Sequence, residues 1–244
     1  MTIALAQLQS HDGDVSRNVD RHLAALQATR PHAPDLVVFP KLSLTNYAPD
    51  LARASALSPG DARLAPLQSY ADETGTAIAV GAPLATDGKP QIALLVFLPD
   101  GTPTAVGKRY LHADETPFFS PAPASPAVLA LGARVGLAIC YEVTVREHAD
   151  ALAAQGIDLY LASVAKTQRG GAAARTTLAA TARRLGIPAL LVNSVGTCEG
   201  QPAGGGSFAL HADGSPLAAL PTTGEGLLLV DTASLQTTVL AVGA

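Results

Sequence analysis

Cys140 closes the apolar run Arg134-Val-Gly-Leu-Ala-Ile-Cys-Tyr-Glu142, after which the chain turns polar. Free cysteine is among the most buried residue types and mostly behaves as a small hydrophobe. Because this run stops at the thiol, Cys140 is expected at the C-terminal edge of a sheet, where α/β proteins place their ligands. A reactive thiol there needs a nearby cation or base, donors for a developing oxyanion, and a group that manages protons. Histidine offers only weak candidates: His112 falls at a hairpin exit and His148 inside a helix. Lysine is scarce enough to be informative, with four (41, 89, 108 and 166) against twelve arginines. Lys41 and Lys108 both end strands, as Cys140 does, whereas Lys89 sits in a turn.

Strand and helix patterns alternate around these positions. Thr2 to Gln9 reads as a strand, and Asp14 can cap a helix with Val15, Val19, Leu23 and Leu26 on one face. Leu36 to Pro40 is a short buried strand leading into Lys41. Asp61 can cap a second helix, and the strand Thr76 to Gly81 follows it. Gln91 to Leu98 and Thr104 to Arg109 form a hairpin about Asp100-Gly101, so the sheet is mixed. A helix starting near Thr144 and ending at Gly156 follows the thiol. Beyond it lie a strand at Ile157 to Ala162, a helix over Ala172 to Leu185, and a strand at Pro188 to Asn193. A second hairpin about Asp213-Gly214 and the strand Gly226 to Asp231 complete the pattern. With no long linker, residues 1–244 read as a single domain of two packed sheets with helices outside.

Composition narrows the function classes. Apolar residues make up 48% and charged residues 15% of the 244, as in a compact folded domain. A net charge of −4 without a basic run argues against nucleic acid as a partner. The longest apolar stretches fall far short of the ~20 residues of a membrane span, and no secretory signal is visible, so a cytoplasmic protein is expected. Cys140 and Cys198 are read as two free thiols, and no histidine or cysteine pairing has metal-ligand spacing.

Three segments together carry a resemblance. Phe39-Pro-Lys-Leu-Ser-Leu-Thr-Asn-Tyr47, Gly107-Lys-Arg-Tyr-Leu-His-Ala-Asp-Glu-Thr-Pro-Phe-Phe119 and Leu137-Ala-Ile-Cys-Tyr-Glu142 are similar, in order and spacing, to the catalytic motifs of the nitrilase superfamily of carbon-nitrogen hydrolases. The resemblance implies a four-layer α-β-β-α sandwich of two mixed sheets, a homodimer or larger homo-oligomer, and a cofactor-free Glu-Lys-Cys triad. It makes Cys140 the nucleophile, Lys108 the oxyanion-stabilising lysine acting with the N–H of Tyr141, and Glu115 a substrate-positioning glutamate. Glu142 fills the acidic position after the Cys-aromatic pair, and Tyr141, Glu142 and Ser163 are expected around the substrate. The loop Ser163-Val-Ala-Lys-Thr167 gives a small polar wall that favours an amide over a nitrile, with Lys166 able to meet an anionic group.

Two positions depart from the pattern. The general-base glutamate that follows Phe-Pro is replaced by Lys41, and Asn46 replaces a glycine before Tyr47. The base must take the thiol proton, deliver it to departing ammonia and activate water. A protonated lysine has no acceptor site and is expected to do none of these, although a cation beside the thiol favours thiolate. Lys41 and Lys108 should also repel and depress one lysine's pKa. A neutral Lys41 could act as a base, but this requires a shift of about three units from a value near 10.4. The expectation is an amidase-type hydrolase of small linear amides impaired at Lys41, or else a catalytically dead ligand-binding or oligomerising relative.

Overall fold

The computed structural model describes residues 1–123, 127–198 and 200–242. In chain order the strands and helices are β1 (Thr2–Gln7), α1 (Val15–Thr29), β2 (Leu36–Val38), α2 (Ala65–Thr74), β3 (Ala77–Leu84), β4 (Gln91–Phe97), β5 (Thr104–Gly107), β6 (Val128–Ala130) and β7 (Arg134–Ile139). Then follow α3 (Arg146–Ala153), β8 (Leu159–Ser163), α4 (Gln168–Leu185), β9 (Ala189–Val192), β10 (Thr197–Cys198), β11 (Gln201–Pro202), β12 (Phe208–Leu210), β13 (Pro216–Ala219), β14 (Gly226–Asp231) and β15 (Thr237–Leu240). One sheet has the order β15-β14-β1-β2-β3-β4-β5 and the other β13-β12-β9-β8-β7-β6, and β10 and β11 form a separate ribbon. Both large sheets mix parallel and antiparallel pairs, as the two hairpins demand.

The period-2 alternation of the strands generates the layers. In β1, Ile3 and Leu5 face the second sheet, in one cluster with Leu137, Leu161 and Leu190. Ala4 and Ala6 point the other way, onto Val15, Val19 and Leu26 of α1 and Leu67 of α2. On the far side, Leu152 of α3 and Leu178 of α4 pack onto the second sheet. The result is the expected α-β-β-α sandwich, with both central strand sets buried on two faces.

Helix ends follow the capping chemistry. The Asp14 side chain accepts from the N–H of Arg17 at the start of α1. Helix α4 begins at Gln168, four residues before the expected Ala172, because Thr167 caps it by accepting from Gly170 N–H. Gly170 and Gly171 lower local helix propensity, which hid this first turn from the sequence pattern. The chain also contains β6 and the edge strand β15, neither of which was expected.

One strand glycine places the first lysine. A Cβ on Gly81 would lie 2.1 Å from the N of Leu42 and 2.3 Å from the O of Pro40, so only glycine lets the Lys41 turn cross β3. Gly81→Ala is therefore expected to displace that turn and cost about 3 kcal/mol, read as a fall in the urea midpoint.

Candidate active site

Three strand ends converge on one cavity of about 250 Å³, lined by Lys41, Glu115, Cys140, Tyr141, Lys166 and Cys198 among others. β7 delivers Cys140 as expected, one residue beyond its last paired position. Cys140 then adopts φ 54° and opens a 3-10 turn through Thr144. That left-handed conformation is uncommon outside glycine and marks a residue held against its preference by its surroundings. On the Lys41 side, Leu42 and Asn46 also have φ 56°. Asparagine tolerates this region better than most residues, which accounts for Asn46 in place of glycine. Its Nδ2 donates to Asp12 and to the carbonyl of Thr197, tying the turn to β10.

Behind the thiol lies an ion cluster that is almost dry. Lys41, Lys108 and Glu115 are 3%, 0% and 1% exposed. Lys41 Nζ donates to Glu115 Oε1 at 2.5 Å, and Lys108 Nζ donates to Oε2 of the same carboxylate. The N–H of His112 also donates to Oε2, at 2.7 Å. Glu115 thus accepts from two buried ammonium groups, while the ring of Tyr47 lies 3.9 Å from Lys41 Nζ.

The charges set each other's protonation. Burial pushes Glu115 up, but Lys41 and Lys108 outweigh it and hold the carboxyl down at about 2. Burial would lower Lys41, yet the Cys140 thiolate and then Glu115 reverse this, so its pKa is raised. For Lys108 burial prevails, helped by repulsion from Lys41, and its pKa is lowered. This is the split between the two lysines that like charge imposes. Burial raises the Cys140 thiol, but Lys41, Lys166 and Lys108 together bring it below its ordinary value despite Glu115. Two buried ammonium groups sharing one carboxylate leave a positive surplus that a thiolate neutralises.

Two residues expected at the substrate do other work. Glu142 is outside the cavity lining: its Oε1 accepts from the N–H groups of Arg109 (2.7 Å) and Tyr110 (3.2 Å), and Oε2 from Ile139 (2.8 Å). It clamps the residue before Cys140 to the segment after Lys108, a positioning role set by a carboxylate's appetite for backbone donors. Ser163 likewise does not line the cavity; its hydroxyl donates to the carbonyl of Phe39 at 2.8 Å and joins β8 to the end of β2. Both side chains hydrogen-bond backbone groups and lie outside the cavity lining. Glu142→Ala should leave three backbone donors unpaired, lowering stability by about 2 kcal/mol or more and slowing Cys140 alkylation by iodoacetamide.

Of the residues singled out in the sequence, Cys140, Lys41, Glu115 and Tyr141 line one cavity, with Lys108 bonded to Glu115 and outside the lining. Gln201, whose loop was expected near the pocket, and Cys198, which was not, reach the same cavity from the β10 and β11 ribbon. No spacing signal could have found Cys198, since it lies far from every motif.

Residues 2–239 match the family model for carbon-nitrogen hydrolases. The chain belongs to the carbon-nitrogen hydrolase family. This carbon-nitrogen hydrolase is 31% identical over 219 residues to an (R)-stereoselective amidase of Pseudomonas sp, covering 89% of this chain and 80% of that protein. It is similar in structure to the NitN amidase of Nesterenkonia sp. AN1, with 28% identity, a TM-score of 0.84, and 95% and 92% of the two chains covered. A variant of that amidase with glutamate changed to glutamine (28% identity, TM-score 0.85, 96% and 94% covered) shows the result of Michael addition of acrylamide at the active-site cysteine.

Proposed function

We propose that this carbon-nitrogen hydrolase is an amidase-type acyl-transfer protein that attacks a small linear amide through Cys140 and is arrested after acylation by Lys41. The observation that carries this reading is the charge set around the thiol: two buried lysines sharing Glu115, where the family resemblance implies two glutamates and one lysine. We equate Lys41 with the family's general base. The (R)-stereoselective amidase and the Nesterenkonia amidase support an amide as substrate class.

In the proposed reaction the Cys140 thiolate adds to the amide carbonyl carbon. Lys108 Nζ and the N–H of Tyr141 receive the oxyanion, preorganised donors in a site that excludes most water. Glu115 orients both lysines. On this reading the thiol reacts as the thiolate that Lys41, Lys166 and Lys108 favour, so no base is needed for attack, and Lys41 can give its proton to departing ammonia. The sequence suggests that a protonated lysine delivers no proton to departing ammonia; with a thiolate as nucleophile that delivery is open to it. Deacylation is where the cycle fails. A charged Lys41 has no acceptor site for a water proton, and a neutral Lys41 is itself a stronger nucleophile than water.

The test is the intact mass of the protein after incubation with a short aliphatic amide and an acid quench. One acyl group on the wild type and none on Cys140→Ser is the expected pair. Unmodified protein with no ammonia released would remove the amidase reading and favour the second one, a ligand-binding relative, which the buried Lys41 cation also suits. The proposal further assigns a cytoplasmic site of action and a homodimer or larger assembly, on the family resemblance. No helix among the described residues is long and apolar enough to cross a membrane. Sedimentation of the purified chain checks the assembly.

A further inference from the structure

Lys41 is a buried amine that shares a cavity with the nucleophile, and a glutamate at its position could never form a stable bond to an acyl group. We propose that Lys41 is a self-acylation site: the acyl group that Cys140 takes from an amide passes to Lys41 Nζ, leaving a stable amide on the lysine. The inference rests on the acylation of Cys140 proposed above.

The chemistry balances without any further reactant. The reacting form has the sulfur as thiolate and Lys41 as ammonium, the pair of states that their mutual attraction favours. Thiolate attack on the amide and proton transfer from Lys41 Nζ to the leaving nitrogen give a thioester, free ammonia and a neutral amine. Nζ then attacks the thioester carbonyl carbon, the C–S bond breaks, and the proton lost by nitrogen passes to sulfur. The products are Nε-acyl-Lys41, a Cys140 thiol and ammonia. A thioester is higher in energy than an amide, so the second step runs downhill and removes the acyl group from any equilibrium with ammonia.

Three features of the site favour this path over hydrolysis. Lys41 and Cys140 line the same small cavity, so an amine there meets the thioester at high effective concentration. A neutral Nζ can still donate one N–H to Glu115 Oε1, 2.5 Å away, which holds the side chain while the lone pair remains available. Acylation also changes the electrostatics. The Cys140 thiolate, ahead of Glu115, is the main influence opposing burial at Lys41. A thioester carries no charge, so its formation removes the largest influence that raises Lys41 and leaves Glu115 and Cys198 to oppose burial, a shift toward the neutral amine. Water would still need to be positioned and deprotonated, whereas the amine is already a nucleophile.

Peptide mapping after exposure to butyramide tests the proposal. In the wild type, the expected result is a butanoyl group that is first hydroxylamine-labile on Cys140 and later hydroxylamine-stable on Lys41, where it blocks tryptic cleavage. Lys41→Arg keeps the cation but neither releases a proton nor offers a neutral amine, so it should carry no hydroxylamine-stable acyl group, and what it acylates slowly should stay labile on Cys140. Cys140→Ala should show no modified Lys41. A labile adduct that persists on wild-type Cys140 with Lys41 untouched would overturn the inference and leave the acylation reading standing. Acyl-Lys41 at equal yield in Cys140→Ala would overturn it as well, by showing direct transfer. An absence of acyl groups on both residues in the wild type would overturn the inference together with the reading beneath it.

Discussion

Lys41→Glu is expected to release ammonia from short amides in many turnovers, at a steady rate at least about 100-fold above the wild type. The figure is the lower end of what a positioned general acid-base contributes, roughly 10²–10⁴-fold. The substitution supplies an acceptor beside the thiol for three successive proton transfers and removes the amine that competes with water. It also removes the strongest of the cationic influences that lower the Cys140 pKa, so the thiol should titrate higher. Iodoacetamide alkylation of Cys140 should accordingly need a higher pH in the variant, even as amide turnover rises. Those opposite movements separate a restored base from a general loosening of the site. Equal steady-state rates for the two proteins would sink the account of Lys41.

Glu115→Gln should have the largest effect on stability. It leaves Lys41 and Lys108 buried and facing one another with their shared anion gone. Removing one partner of a buried ionic cluster costs about 3–5 kcal/mol, which for a chain of this length corresponds to a Tm lower by roughly 6–20 °C. The effect has a defined pH window. Glu115 titrates in the folded protein at about 2, below its ordinary 4.5, so its carboxylate stabilises the fold fully above the ordinary value. That contribution is lost as pH falls from 4.5 toward 2. Thermal melts should therefore show the wild type and Glu115→Gln far apart at pH 7 and converging across that window. A constant gap would mean that the carboxylate's charge is not what holds the cluster.

Much of the architecture was legible because buried strands and amphipathic helices leave periodic traces. The β7 run ending at Cys140 and the Leu36 to Pro40 run ending at Lys41 announced strand ends by an abrupt change of polarity. What the pattern concealed has physical causes. Two glycines masked the first turn of α4, whose start depends on the Thr167 cap rather than on hydrophobic spacing. β15 exposes three of its four residues and pairs only along one edge, so it carries no alternation to read. At the site, residue types identified the participants but not the direction of their side chains. Glu142 and Ser163 looked like polar groups for a substrate, yet a carboxylate near three unpaired N–H groups and a hydroxyl near a strand carbonyl satisfy the backbone first. The sharing of Glu115 by two lysines was likewise invisible, since it joins residues 41 and 108 through a carboxylate on a third segment.

The most direct test of the central claim is the time course of ammonia release on mixing wild-type protein with an excess of short amide, counted against the concentration of Cys140. The account predicts a single burst of at most one ammonia per chain, followed by little or no further release. Linear release continuing through many equivalents, at a rate matching Lys41→Glu, would contradict it.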